Sequence, residues 1–574
     1  MRSGPCLRPA DNRWKPGWAR RINARAAMVI FFATLALALV SATFSGSQPL
    51  ALARSTWHAL RDSGEAYWQA HYRSPAVFIP RAATQSLPVY PLKLSPNGRY
   101  LLDQDNVPFL LVGDAPQSMI GNLSETDAKT YLADRQAVGF NAVWVNLLCN
   151  NYTGCRSDGA TFDGIPPFTT AGDLSTPNEV YFTRADHMIQ AAAQHGIVVF
   201  LDPIETGGWL ATLQSNGLTK ATSYGVYLGN RYKNFPNIVW MSGNDFQTWS
   251  NAGDDALVTA VVNGIKSVDA NHLHTAELNY NVSTTLDDPH WASLAGLNAA
   301  YTYFPTYAEV LHAYNQAVVP TFLVEEHYEL ENVGGEAGTP NVLRRQEYWT
   351  LLSGATGQLY GNHYTWTFAP GWQNNLDTPG VAQLSYVTSL FASRAWYSLV
   401  PDQTHVIVTA GYGTFSTTGN VSANDYLTAA RTPDGSLVIA YMPTVRTITA
   451  DLSQLTGPVT AQWYDPTNGA YTPVSDSPFS NTGMRQFTPP GSNSSGDGDW
   501  VLVLQASYPS PTATATATPT PTHTTTATPT PSPTGFDASQ GTQTFFPFIL
   551  HRSLTSGFSS NMGGSLVHSD SLYP

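Results

Sequence analysis

Six acidic residues directly follow short apolar runs in this chain: Asp114, Glu205, Asp245, Glu277, Glu325 and Glu326. Two of them suggest a specific chemistry. Asp245 ends the string Asn237-Ile-Val-Trp-Met-Ser-Gly-Asn-Asp245, and Glu325 follows Thr321–Val324. In chain order these runs are the fourth and seventh strand-like segments. In a closed eight-stranded parallel barrel those strands face one another, and functional groups sit at their carboxyl ends. A carboxyl pair so placed suits glycosidic bond cleavage. One group protonates the leaving oxygen, and the other stabilises or attacks the anomeric carbon. Other chemistries lack their equipment. No His/Asp/Glu cluster has metal-ligand spacing, no Gly-x-Ser-x-Gly elbow appears, and Gly334-Gly335 lacks the context of a phosphate loop. Neither a metal nor a cofactor is expected.

The elements that must position such a pair are legible as alternating strand and helix patterns between about 91 and 400. The strand candidates are Pro108–Gly113, Ala142–Leu148, Ile197–Leu201, Ile238–Met241, His272–Leu278, Leu297–Tyr303, Thr321–Val324 and Gly357–Tyr364. Helical patterns lie between them. Ser124 and Asp127 form a capping box ahead of Ala128, Tyr131, Leu132 and Val138, and Val180, Ala185, Met188, Ile189, Ala192 and Ala193 share one face. Further helices are expected over Tyr224–Tyr232, Ala256–Val268, Ala308–Val318 and Leu343–Leu352. Eight strands joined by helical crossovers predict an α/β fold, a (β/α)8 TIM barrel. A doubly wound sheet would alternate in the same way; the count and the length favour the barrel. From about 401 the pattern changes to short strands (Val406–Val408, Tyr426–Ala430, Leu437–Tyr441, Ala461–Tyr464 and Trp500–Leu504) with turns such as Pro433-Asp434-Gly435. This predicts a C-terminal antiparallel β-sandwich.

Charge argues about partners. The chain has 28 Lys/Arg against 41 Asp/Glu, a net charge of −13. Seven of those cations lie in residues 1–25 with one Asp, which leaves 21 against 40 for the remainder. Such a surface repels phosphate backbones, so nucleic acid is not an expected partner and neutral carbohydrate is. The basic start, the apolar run Ala26–Val40 and the small-x-small site Ala51-Leu52-Ala53 read as an export signal, cleaved or kept as an anchor. The protein is therefore expected to be secreted or held at the cell surface. After that signal two cysteines remain, Cys149 and Cys155, close enough for a local disulfide in an oxidising compartment. Residues 509–534 hold 12 Thr and seven Pro and no charged residue, an extended spacer. The expected organisation is a signal or anchor over 1–53, an extension over 54–90, the barrel over 91–400 and the sandwich over 401–507. A Pro/Thr-rich linker over 508–535 and a tail over 536–574 follow, and these two offer a route to surface attachment.

The barrel segment resembles the apiosidase-like glycoside hydrolases, a family of secreted bacterial (β/α)8 enzymes acting on pectic side chains. The strings that carry the likeness are PFLLVGDAP (108–116), DRQAVGFNAV (134–143), NEVYFTRADHMIQAAAQHGIVVFLDP (178–203), RYKNFPNIVWMSGND (231–245), EEHYE (325–329) and RRQEYWTLLSGATGQLYGNHYTW (344–366). WYDPTNGAY (463–471), FTPP (487–490) and DWVLVL (499–504) resemble the small domain, labelled collagen-binding, that commonly follows this barrel. The resemblance implies Asp245 as general acid/base and Glu325 as nucleophile. It also implies retention of configuration, with the carboxyl carbons ~5–5.5 Å apart. Asn244 echoes the Asn of Asn-acid pairs that contact a sugar 2-hydroxyl, and Asp114 matches the family's strand-one Asp. Tyr303 is expected to hydrogen-bond the nucleophile, and His363 and Trp366 to bind and stack a sugar ring. Three departures stand out. Asn244 replaces a Gly, Glu326 replaces a Pro and so competes for the nucleophile's role, and Asp114-Ala115-Pro116-Gln117 lacks the family's Trp.

Each of these residues also has a structural reading. Asp245 could cap a helix, Glu325 or Glu326 could pair with Arg344 or Arg345, and Asp114 could be a structural acceptor. The aromatics could be packing residues. On those readings the protein would be a carbohydrate-binding or adhesion protein on a barrel without turnover.

Overall fold

The computed structural model describes residues 87–507. The segments expected to be an export signal, a linker and a tail, and most of the expected N-terminal extension, lie outside them. Eight parallel strands form the barrel: β1 (Leu111–Asp114), β2 (Ala142–Asn146), β3 (Val198–Asp202), β4 (Ile238–Ser242), β5 (His274–Ala276), β6 (Asn298–Thr302), β7 (Thr321–Glu325) and β8 (Gly357–Tyr360). Seven helices cover them: α1 (Glu125–Ala137), α2 (Glu179–Gln194), α3 (Thr206–Tyr232), α4 (Ala252–Lys266), α5 (Thr306–Gln316), α6 (Pro340–Leu352) and α7 (Pro379–Ala392). Strand side chains alternate as a two-faced sheet requires. Trp144, Phe200, Val239, Phe322 and Leu359 fill the interior, while Val143, Val145, Val199, Leu201 and Trp240 pack under the helices. A small antiparallel sheet built from Lys93–Leu94, Leu101–Leu102 and Pro108–Phe109 adds Leu92, Leu101 and Phe109 to the interior cluster.

The hydrogen-bonded order is β5-β4-β3-β2-β1-β8-β7-β6. One neighbouring pair, β5 and β6, therefore lacks a ladder. An insertion after β5 closes that seam. Its strand Val282–Thr284 pairs antiparallel with β6. Thr285 then spans the gap, its Oγ1 donating to Ala276 O (2.6 Å) and accepting from Ala299 N (2.9 Å). This insertion stands where other strands carry a helix.

Two of the barrel's helices differ from the sequence expectation, and in the sandwich the strands Ile448–Asp451, Tyr471–Pro473 and Met484–Phe487 were not expected. The predicted helix Tyr224–Tyr232 is only the second half of α3, which begins at Thr206 and breaks at Gly217 (φ 69°). Helix α7 has no counterpart in the expectation at all. Val381, Ala382, Leu384, Val387, Leu390 and Phe391 are buried along it, and its outer side carries Ser385, Thr388, Ser389 and Ala392, so no charged residue marks the face that water meets.

Beyond the barrel, a six-stranded antiparallel sheet faces a three-stranded one. The central strand Leu437–Met442 is buried at all six positions. Ile439 and Tyr441 pack on the barrel's helices, and Val438, Ala440 and Met442 pack between the two sheets. Polar anchors fix this junction. Arg344, on α6, bonds both oxygens of Asp499 at 2.8 Å and Asp497 at 2.7 Å. Arg345 donates to the carbonyls of Val421, Asn424 and Pro443. Neither arginine pairs with Glu325 or Glu326, so that structural reading of the two glutamates fails. Arg344 and Asp499 are 1% and 0% exposed. Removing one partner leaves the other charge buried and uncompensated, which costs about 3–5 kcal/mol. Asp499→Asn should lower stability by that amount in urea unfolding, and a loss under about 1 kcal/mol would show that the pair does not hold the domains together.

Candidate active site

The carboxyl end of β4 has an unusual backbone. Gly243, Asn244 and Asp245 all have positive φ, at 121°, 55° and 57°. A Cβ at Gly243 would fall 2.0 Å from Glu277 O, so only glycine fits there. Asn and Asp tolerate the left-handed region better than other side chains do, at roughly 1 kcal/mol or more each. The run is held from both sides. Gly243 O accepts from Thr206 N (2.7 Å) and Thr206 Oγ1 (2.8 Å), and Glu277 Oε2 accepts from Asp245 N (3.1 Å). Asp245 therefore ends in the barrel mouth and does not cap a helix; α4 is capped by Asn251.

A bulge positions Glu325. The β6–β7 register passes from Ala300↔Leu323 to Tyr301↔Glu325, skipping Val324. Strict alternation from inward-facing Phe322 and Val324 would have sent Glu326 inward. The extra residue turns Glu325 onto the face of Tyr301 instead. Three phenols then donate to its carboxylate: Tyr301 (2.9 Å) and Tyr303 (2.5 Å) to Oε1, and Tyr328 (2.9 Å) to Oε2. Glu326 is buried elsewhere, against Glu347.

Asp245 and Glu325 lie in one buried pocket, near enough for the Asp245 charge to raise the Glu325 pKa. Tyr301, which donates to Glu325, also interacts with the Asp245 carboxyl. Tyr152 bonds Asp245 Oδ2 from the other side. It sits in the loop closed by the Cys149–Cys155 disulfide, whose Asn150 N and Thr153 Oγ1 also bond Glu205. Asn244 donates to Gln117 Oε1 and Asn146 Oδ1, both at 3.1 Å, and Gln117 donates to Tyr328 at 3.1 Å. The residue in place of the family's Trp thus links the Asp245 loop to the Glu325 cage.

Carboxyls crowd this mouth, and among the described residues no Lys or Arg pairs with them. Burial raises the pKa of Asp245, and mutual repulsion adds to burial in raising Glu325 and Glu277. Three phenol donors to Glu325 against one, Tyr152, to Asp245 favour Glu325 as the seat of a single shared negative charge. Beneath them, burial pushes Asp202 and Glu205 each up to about 8. A carboxyl raised on folding contributes its full stability only below its unfolded pKa, near 4, and loses it as pH rises through about 8. The thermal midpoint should therefore be higher at pH 5.5 than at pH 8.5, and Asp202→Asn should narrow the gap. A gap that Asp202→Asn leaves unchanged would contradict this reading.

The other expected site residues divide. Asn244 and Tyr303 join the pocket as described. Trp366 packs in the barrel-interior cluster with Tyr301 and Tyr328. Trp366 Nε1 and His363 Nδ1 both reach Glu331 Oε1, at 2.7 and 3.2 Å, forming an adjacent polar group at the mouth. Asp114 does not join. Its carboxylate is 0% exposed and is taken up by Ala115 N (2.8 Å), Tyr131 (2.6 Å) and Arg135 (3.2 Å) on α1, a structural ion pair. Sequence reasoning passed over Tyr152, Tyr301, Tyr328, Gln117, Asn146 and Glu331. It noted Glu277 as a strand-end acid without placing it in the site. Tyr301 had a detectable signal, because it alternates with Tyr303 at the end of β6 and so shares its face.

Comparison with known proteins gives the same architecture. The family model described as Apiosidase-like, catalytic domain, matches residues 95–398. A model named for a collagen-binding domain of a collagenase matches 400–505. A solved structure titled glycoside hydrolase aligns with a TM-score of 0.64 at 23% identity, covering 74% of this chain and 99% of its own. A glycoside hydrolase family 5 protein from Bacteroides vulgatus aligns at 0.62 and 23%, covering 72% of this chain and 93% of its own. At that identity the likeness is one of fold. No curated protein matches the chain.

Proposed function

The chain belongs to the apiosidase-like family, and on that premise we propose that it is an exported glycoside hydrolase that cleaves plant pectic polysaccharide with retention. Glu325 attacks the anomeric carbon. Asp245 gives its proton to the departing glycosidic oxygen, so the C–O bond breaks as the glycosyl ester forms. Asp245, now ionised, takes a proton from water, and that water displaces Glu325. The sugar leaves with its original configuration, and both carboxyls return to their starting protonation states.

One observation carries this reading: Asp245, held by Tyr152, and Glu325, held by three phenols, share one buried pocket in which the Asp245 charge raises the Glu325 pKa. Retention needs the two carboxyl groups ~5–5.5 Å apart, whereas inverting pairs stand ~6.5–9.5 Å apart to admit water. In this reading Asp245 holds the proton, and Glu325, which accepts from three phenols, holds the charge. The Tyr301–Tyr303–Tyr328 cage steadies the nucleophile's charge without a cation. Asn244, 4% exposed beside Asp245, is placed to meet the sugar next to the reacting carbon.

The test is a panel of pectic and hemicellulosic oligosaccharides incubated with the purified chain. Release of a defined sugar from at least one pectic member, lost in Glu325→Gln, supports the proposal. Binding of such oligosaccharides with no release from any would favour a carbohydrate-binding protein on the same scaffold.

A further inference from the structure

Outside the mouth, one side-chain cluster is electrostatically incomplete. Asp255 lies in the first turn of α4, and Asp288 caps the 3-10 turn Pro289–Ser293 in the seam insertion. They are 4% and 1% exposed, and their carboxyls contact each other. Asp255 Oδ1 and Asp288 Oδ2 are buried without any hydrogen-bond partner. Among the described residues no Lys or Arg pairs with either. The one basic group present is His290, whose Nδ1 stands 2.8 Å from Asp255 Oδ2 and 3.3 Å from Asp288 Oδ1. One oxygen of each carboxyl and a ring nitrogen lie within 4.8 Å of one another.

Two touching buried carboxylates are costly unless something neutralises them. A neighbouring group shows what a satisfied cluster looks like. Asp287, beside Glu309 and His312, has its oxygens taken by Thr284 N (2.8 Å), Gln316 Nε2 (2.7 Å) and His312 Nε2 (3.2 Å), with no orphan. At Asp255 and Asp288 two oxygens remain open beside a ring nitrogen. Two carboxylates with an imidazole form a borderline donor set, which suits Zn2+ better than Ca2+ or Mg2+. The exposed side of His290 leaves room for water to complete the coordination.

We propose that Asp255, Asp288 and His290 bind a Zn2+-type divalent ion that clasps α4 to the insertion closing the β5–β6 seam. The ion neutralises the two aspartates and ties α4, the helix that follows the Asp245 loop, to the one gap in the barrel ladder. The ligands span 36 positions on two elements, so no sequence spacing announces them.

The test uses the full chain, stripped with EDTA and returned to chelator-free buffer. Isothermal titration with ZnCl2 should show one site, and the thermal midpoint should rise with bound ion. His290→Ala, at an exposed position that folding tolerates, should weaken binding at least 100-fold and abolish the thermal shift. Asp288→Asn should do the same, with its fold checked by circular dichroism. No Zn2+ binding by the native chain would overturn the proposal. So would binding that His290→Ala leaves unchanged, or an equal response to CaCl2 that survives His290→Ala. None of these readouts depends on turnover, so the clasp and the hydrolytic reading stand or fall separately.

Discussion

Glu325→Gln should lower kcat by about 10^4-fold or more while leaving oligosaccharide affinity within a few-fold. The amide keeps the shape of the carboxyl and still accepts from the phenols at one oxygen. It has no charge with which to attack the anomeric carbon. The three phenols around Glu325 are arranged for an anion, and the Gln variant should fold normally because it removes a repelled charge from a crowded mouth. Glu326→Gln is the internal control. Its carboxyl faces Glu347 and should change kcat by less than about threefold. Equal losses in the two variants, measured on the same oligosaccharide, would show that the bulge does not select between them.

Asp245→Asn should have a different signature. On a natural substrate, whose leaving oxygen needs a proton, kcat should fall by about 10^2–10^4-fold. With an aryl glycoside of an acidic phenol the first step needs no proton, so phenol should appear in a rapid burst followed by slow release of the glycosyl-enzyme. The pH profile should change with it. The native profile should be bell-shaped, its apparent pKa values belonging to the carboxyl pair, and its alkaline limb should reflect loss of the shared proton. Without a carboxyl at 245 that limb should disappear. An unchanged alkaline limb in Asp245→Asn would assign the proton to another group, Glu277 being nearest through its bond to Asp245 N.

Much of the scaffold was legible because strands and helices of a barrel have separate periods. Buried strands read as apolar runs, and helices such as α2 show a one-sided stripe. Position along those runs was enough to bring Asp245 and Glu325 forward. What the sequence hid depends on tertiary geometry. The β7 bulge is a one-residue slip that no composition marks, and strict alternation would have favoured Glu326. Tyr152 reaches Asp245 from a loop 93 positions away, bent back by the Cys149–Cys155 bridge. Asp114 follows an apolar run as the others do, yet Tyr131 and Arg135 draw its side chain under α1. Arg344 was read against nearby glutamates, whereas its partners lie in the sandwich, 153 and 155 positions on. Helix α7 carries no charged residue, so its outer side of Ser385, Thr388, Ser389 and Ala392 contrasts only weakly with its buried one.

The central claim is that Asp245 and Glu325 work on one sugar from opposite sides of its anomeric carbon, with Glu325 bonded to it midway. Proton NMR of the first sugar released, recorded before the product mutarotates, tests this most directly. The account predicts that the anomeric proton shows the configuration of the cleaved bond. A first product of opposite configuration would mean that water, and not Glu325, attacks that carbon, and would contradict it.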